Sequence, residues 1–201
     1  MQIIKWHQFL DDGLPLGDKP ASVTIGVFDG VHRGHQALIE RVVSHNANPK
    51  ADYVPVVFTF KRNHKTENIQ QRTENSNLRF GEQSDIQSFE ERLAMLESFG
   101  IQITVVIDFS DKFRRMPGAE FLKILLERGK IGFFAVGGGF RCGYQLDTDA
   151  AAIEKFFASH NVPVEIVPQV MEGTLPVSSS RIRAAIAAGD HALAQAMLAG
   201  G

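Results

Sequence analysis

The chain has one cysteine, Cys142, and no Cys-x-x-Cys pair or Cys/His spacing typical of a structural metal site. An internal disulfide is therefore excluded, and a reducing compartment is the plain expectation. No stretch approaches the roughly 18 apolar residues of a membrane-crossing helix. Residues 1–16 interrupt their apolar positions with Lys5, His7, Asp11 and Asp12, unlike the core of a signal peptide. A cytoplasmic protein with no membrane role is expected. An excess of one charge is also missing, with 21 Lys and Arg against 23 Asp and Glu. That leaves no overall basic field for nucleic acid, although a local cation cluster could still hold a small anion. The Walker A string Gly-x-x-x-x-Gly-Lys-Ser/Thr does not occur, and Gly26, Gly30 and Gly34 do not fit the dinucleotide fingerprint Gly-x-Gly-x-x-Gly.

What is present describes a layered α/β protein. Short β-branched or aromatic runs at 21–25, 54–60, 101–107, 133–136 and 164–167 alternate with amphipathic stretches. This is the pattern of βαβ units around a doubly wound parallel sheet with helices on both faces. Residues 36–44 read as a helix with Leu38, Ile39 and Val42 on one side. Phe89, Leu93 and Leu96 mark a second, and Phe121, Leu122, Leu125 and Leu126 a third that opens near Pro117. Phe156 and Phe157 belong to a fourth, and 180–188 and 191–198 form two short helices around Gly189-Asp190. With 201 residues, the chain is long enough for one domain that buries roughly 70% of its unfolded surface, and residues 1–201 are read as one. The segment 61–81 breaks the pattern: it is polar and carries Lys61, Arg62, Lys65, Arg72 and Arg79 against Glu67 and Glu74. A lid facing phosphate and a surface loop both suit it.

Three segments carry chemistry. The strongest is Gly26-Val27-Phe28-Asp29-Gly30-Val31-His32-Arg33-Gly34-His35-Gln36, which follows a strand and opens a helix. Free N–H groups and the positive helix end favour an anion there. His32 and His35 flank Gly34, so both imidazoles can reach one group and meet charge developing on the α- and β-phosphates of a nucleotide. The same His-x-x-His spacing could bind zinc, but no motif supplies a third ligand. The second segment, Ser178-Ser179-Ser180-Arg181-Ile182-Arg183, combines a serine cap with more hydroxyls and guanidiniums than capping needs, which suits a leaving pyrophosphate. The third, Gly137-Gly138-Gly139-Phe140-Arg141-Cys142-Gly143, marks close backbone approach after a strand. Cys142 within it reads as a packing residue, since nothing nearby would lower its pKa.

In this order the three segments resemble the FAD synthetase module of the bacterial bifunctional riboflavin kinase/FMN adenylyltransferases, within the His-x-Gly-His nucleotidyltransferase superfamily. The resemblance runs from about Ala21 to Leu198. Residues 26–36 are similar to the family's Gly-x-Phe-Asp-Gly-x-His-x-Gly-His-Gln, residues 177–183 to its Ile-Ser-Ser-Thr-x-Ile-Arg, and residues 136–143 to its Val-Gly-x-Asp-Phe-Arg-Phe-Gly. It implies a Rossmann-like nucleotidyltransferase fold and transfer of AMP from ATP, with Mg2+, to the phosphate of FMN, giving FAD and pyrophosphate. His32, His35 and Arg183 would be catalytic. Gly26, Val27, Phe28, Asp29, Gly34, Ser179, Ser180 and Arg181 would bind ATP. Lys61, Arg62, His64, Gly139, Phe140 and Arg141 would face FMN.

Four positions depart from the family pattern. Gly139 stands where Asp or Asn is usual, and Pro176 where a basic residue commonly precedes the serines. Residues 60–64 lack the prolines of the family's Phe-x-Pro-His-Pro, and 144–149 lack its usual basic and glycine positions. A different phosphate acceptor, or a nucleotide- or flavin-binding module without catalysis, therefore stays open beside FMN. The resemblance also implies no riboflavin kinase domain here, hence a separate source of FMN.

Overall fold

A computed structural model describes residues 1–45, 52–61 and 85–199. In chain order the elements are β1 (Gln2–Lys5), α1 (Trp6–Asp12), β2 (Ala21–Ile25), α2 (Arg33–His45), β3 (Val54–Lys61), α3 (Phe89–Ser98), β4 (Ile103–Asp108), α4 (Asp111–Arg114), α5 (Gly118–Gly129), β5 (Ile131–Gly137), β6 (Arg141–Cys142), β7 (Thr148–Asp149), α6 (Ala150–Ala158), β8 (Val164–Val167), β9 (Met171–Glu172), β10 (Leu175–Pro176), α7 (Ser179–Ala187) and α8 (His191–Leu198). Six strands form a sheet in the order β1-β4-β3-β2-β5-β8, and every pair is parallel. The expected doubly wound α/β sheet is the one observed.

Strand alternation builds the layers. On one face Ala21, Val23 and Ile25 of β2 and Val56 and Phe58 of β3 meet Phe9 of α1, Phe121 and Leu125 of α5, and Ile153 and Phe157 of α6. On the other, Val57, Phe133 and Ala135 pack against Leu38, Ile39 and Val42 of α2 and Leu96 of α3. Burying each of the larger of these side chains contributes about 1.5–3 kcal/mol. The face under α2 also holds Ser22, whose Oγ donates to the Val42 carbonyl at 2.8 Å, so a buried hydroxyl is satisfied. A third, smaller cluster joins α7 and α8 through Val177, Ile182, Ala185, Ala194 and Met197.

Several boundaries differ from the sequence reading. β1 is an added edge strand, with Ile4 buried and Ile3 half exposed. β5 starts at Ile131, ahead of the expected 133, because Gly132 lies inside it; a Cβ there would stand 2.6 Å from the Tyr53 ring. Pro117 is the N-cap of α5. In α3 the expected stripe is altered: Leu96 is buried and Phe89 and Leu93 half-buried, while Arg92 is buried beside them. Among the described residues no helix is long and apolar enough to cross a membrane.

The order of strands decides where a ligand can sit. From β2 the chain runs outward to β3 and β4 on one side and later to β5 and β8 on the other. The connections after β2 and β5 therefore diverge, and a crevice opens at the carboxyl ends of these neighbouring strands, the usual ligand position in open α/β sheets. The turn 26–32 and the glycine run 137–139 both begin there.

Candidate active site

The turn from β2 into α2 holds a backbone that few residues tolerate. Phe28 and Val31 have φ of 55° and 36°, and Gly30 has 82°. Positive φ at two bulky residues is costly, and it persists because the surroundings hold it. Phe28 is fully buried, the Gly26 N–H donates to the Phe58 carbonyl at 3.1 Å, and Thr59 Oγ1 donates to the Val27 carbonyl at 3.1 Å. Gly26 is needed for close approach, since a Cβ there would stand 3.1 Å from the Phe28 ring.

This turn brings His32 and His35 together. Their rings stack at 3.6 Å between centroids and 16° between planes, and the Phe28 ring lies 5.0 Å from His35, tilted by 57°. His32 Nδ1 accepts from the His35 N–H at 3.4 Å, which leaves the ring proton of a neutral imidazole on Nε2. Burial pushes His32 down to about 4, against a smaller upward pull from a backbone hydrogen bond. His35 is held well below the ordinary value, first by burial, then by the charges of His32 and Arg92. Part of the His35 residue is exposed, but its Nδ1 is enclosed and has no hydrogen-bond partner among the described residues. Both rings are neutral at pH 7, so each carries one ring N–H. Gly34 leaves them room, because a Cβ on it would stand 3.2 Å from the His32 ring.

Helix α7 is tied to this turn. Ser178 caps it by accepting from the Arg181 N–H at 3.2 Å. Ser179 Oγ donates to the Asp29 carbonyl at 2.8 Å, and Arg183 Nη1 lies 2.5 Å from Asp29 Oδ2. Asp29, 1% exposed, also accepts from the Ile86 N–H at 2.9 Å. Ser180 is exposed at the start of α7. The Arg181 guanidinium instead grips the β9–β10 hairpin, donating to the carbonyls of Leu175 at 2.8 Å and Glu172 at 2.9 Å. Arg33 reaches the same hairpin through Glu172 at 2.5 Å, and Gln36 Nε2 donates to the Leu198 carbonyl at 3.1 Å, fastening the end of α8.

The residues assigned to the acceptor side are less gathered. Lys61 ends β3, exposed, with Nζ 5.3 Å from the centre of the Phe89 ring. A cleft of about 370 Å³ there is lined by Lys61, Gln87, Ser88, Phe89 and Arg92, among others. Arg62 and His64, like Lys65, Arg72 and Arg79, lie outside the described residues. Gly139 is exposed in the turn after β5, and Gln169 Nε2 stands 2.7 Å from where its Cβ would be. Phe140 packs against the main core and Arg141 faces Asp149 at 3.6 Å on the β6–β7 hairpin. Cys142 is pushed up to about 12 by burial and by Asp147, so it is a thiol at neutral pH.

Arg92 escaped the sequence reading. It is 1% exposed, with Nη2 4.0 Å from Asp29 and 3.7 Å from Asp85, and Nη1 donating to the Phe60 carbonyl at 3.2 Å. A signal existed: it falls three residues after Phe89 and four before Leu96, a charge on the apolar face of its helix.

Sheet order and turn together define the class, a Rossmann-like α/β protein of nucleotidyltransferase type. Comparison with known proteins narrows it. The FAD synthetase family model matches residues 15–181, and the chain belongs to the FAD synthetase family. It is 26% identical over 177 residues to the bifunctional riboflavin kinase/FMN adenylyltransferase of Escherichia coli K12, covering 88% of this chain and 53% of that protein. Identity is 25% to the protein of the same description from Buchnera aphidicola, with the same coverage. An FAD synthetase of Listeria monocytogenes is 24% identical, with 90% of this chain and 69% of that one covered. The chain thus spans about half the length of the bifunctional relatives it matches. Among solved structures, a macrolide-efflux protein from Streptococcus pneumoniae superposes with a TM-score of 0.77 at 25% identity, covering 98% of this chain and 62% of that one.

Proposed function

We propose that residues 1–201 act as one FMN adenylyltransferase domain that transfers AMP from ATP to the phosphate of FMN. The observation that carries this reading is the stacked, neutral His32–His35 pair at the carboxyl end of β2, beside the start of α7. A phosphate oxygen of FMN attacks the α-phosphorus of ATP. The new bond forms as the bond from that phosphorus to the bridging oxygen of the β-phosphate breaks, and pyrophosphate leaves with the electron pair. Such a transfer needs positioning and charge stabilisation rather than a protein nucleophile. In this reading the imidazole N–H groups donate to the α- and β-phosphates from outside a hydrated environment, where donors act most strongly. The Gly26–Asp29 turn and Gly34 let backbone approach the nucleotide, and Ser179, Ser180 and Arg183 hold the departing phosphates. Arg181 contributes by anchoring the hairpin that leads into α7. Magnesium would arrive with ATP, on the triphosphate's hard oxygens.

In this reading the acceptor lies between Lys61 at the end of β3 and the glycine run after β5. One observation favours a second reading with another phosphate acceptor: at Gly139 the Gln169 amide fills the space where the family's usual acid or amide would project. Incubation with ATP, magnesium and FMN, followed by chromatography for FAD, tests the first reading. FAD formation supports it. ATP binding without FAD, and turnover with a different phosphate-bearing acceptor, would replace it with the second.

A further inference from the structure

Asp29 faces guanidiniums from two different helices, and the two are not equivalent. Arg183 of α7 makes the closer contact, 2.5 Å, with its side chain 15% exposed at the rim. Arg92 of α3 stands 4.0 Å away, buried, and is held by the Asp85 carboxylate at 3.7 Å and the Phe60 carbonyl at 3.2 Å. A guanidinium hydrogen-bonded to a carboxylate has to loosen that hold before its fork can close on a phosphate. Asp29, 1% exposed, would then be left as a buried charge, one of the costliest defects of a protein interior unless another cation is at hand. Arg92 is already within reach of the other carboxylate oxygen, Oδ1.

We propose that Arg92 is a positioning residue that carries the Asp29 charge when Arg183 turns to the phosphates of the nucleotide. Arg183 is thereby a movable phosphate ligand and Arg92 the fixed counter-ion that makes the movement possible. The backbone amide of Ile86, donating to Asp29 at 2.9 Å, keeps the carboxylate in place throughout. This rests on the reading of Arg183 as a phosphate-binding residue.

The test is calorimetric binding of ATP with magnesium, together with KM for both substrates, in Arg183→Ala, Arg92→Met, Asp29→Asn and the double variant Arg92→Met/Asp29→Asn. Arg183→Ala checks the underlying reading: unchanged ATP affinity overturns it and the proposal with it. Arg92→Met should weaken ATP binding by about 100-fold, the scale of a charge-assisted contact withheld, with KM for the acceptor little changed. Removing the buried carboxylate should free Arg183 again, so the double variant regains at least about tenfold over Arg92→Met. A merely structural role predicts a double variant no better than the single, with both KM values rising together; that result overturns the proposal and leaves the function standing. If Arg92→Met does not fold, the comparison moves to the Asp29→Asn background. There the Arg92 substitution should leave ATP affinity unchanged, and a further loss contradicts the proposal.

Discussion

Acid should weaken the fold through His32. The residue is 6% exposed, and burial lowers its pKa from 6.5 to about 4. Folding therefore favours the neutral ring. The stability this gives is complete above about pH 6.5 and is lost as pH falls from there to about 4. The full contribution is about 3 kcal/mol at 1.36 kcal/mol per pKa unit, of which about 2 kcal/mol is gone at pH 5. Carboxylates also respond over this range, so the difference between proteins is the useful quantity. Urea unfolding of the wild type and of His32→Gln at pH 7.5, 6 and 5 should show the wild type losing about 2 kcal/mol more than the variant between the end points. Both proteins retain the same carboxylates, His45 and His35, whose own shift comes first from burial and not from His32. Parallel curves, within about 0.5 kcal/mol across the range, would refute the assignment of a buried, neutral His32.

Two further substitutions separate site from scaffold. Gly34→Ala places a Cβ 3.2 Å from the His32 ring, which must shift by a few tenths of an ångström. Helix propensity gains up to about 1 kcal/mol, so the melting temperature should hold or rise while kcat falls about tenfold; unchanged kcat would contradict the ring's placement. Phe134→Ala empties a fully buried position in β5, where the ring stacks on Phe157 at 4.7 Å. It should cost about 3–5 kcal/mol in denaturant unfolding and leave KM for ATP unaltered below the transition. A loss under about 1 kcal/mol would show the core contact to be misjudged.

The central sheet was legible because β2, β3, β4, β5 and β8 are nearly continuous apolar runs, as strands covered on both faces must be. The edge strand β1 was not, since four residues with Ile3 outward and Lys5 at the end carry too little pattern. Gly132 concealed the start of β5, its reason for being glycine lying in the distant Tyr53 ring. At the candidate site the His32–His35 pair could be read locally, because both residues belong to one turn. The Asp29–Arg183 contact joins residues 154 apart in the chain, and Arg181 spends its guanidinium on a hairpin that two-residue strands gave no means to foresee. Arg92 was hidden differently. Its position on the apolar face was visible, but a buried cation makes sense only once Asp29 and Asp85 are known to surround it.

The fate of labelled phosphate tests adenylyl transfer at the His32–His35 turn most directly. ATP labelled at the α-phosphate and, separately, at the γ-phosphate is incubated with the protein, magnesium and FMN, and the products are separated. The α-label should appear in FAD and the γ-label in pyrophosphate, with both lost in His32→Gln. Recovery of the α-label only in ATP, or label in FAD undiminished by that substitution, would contradict it.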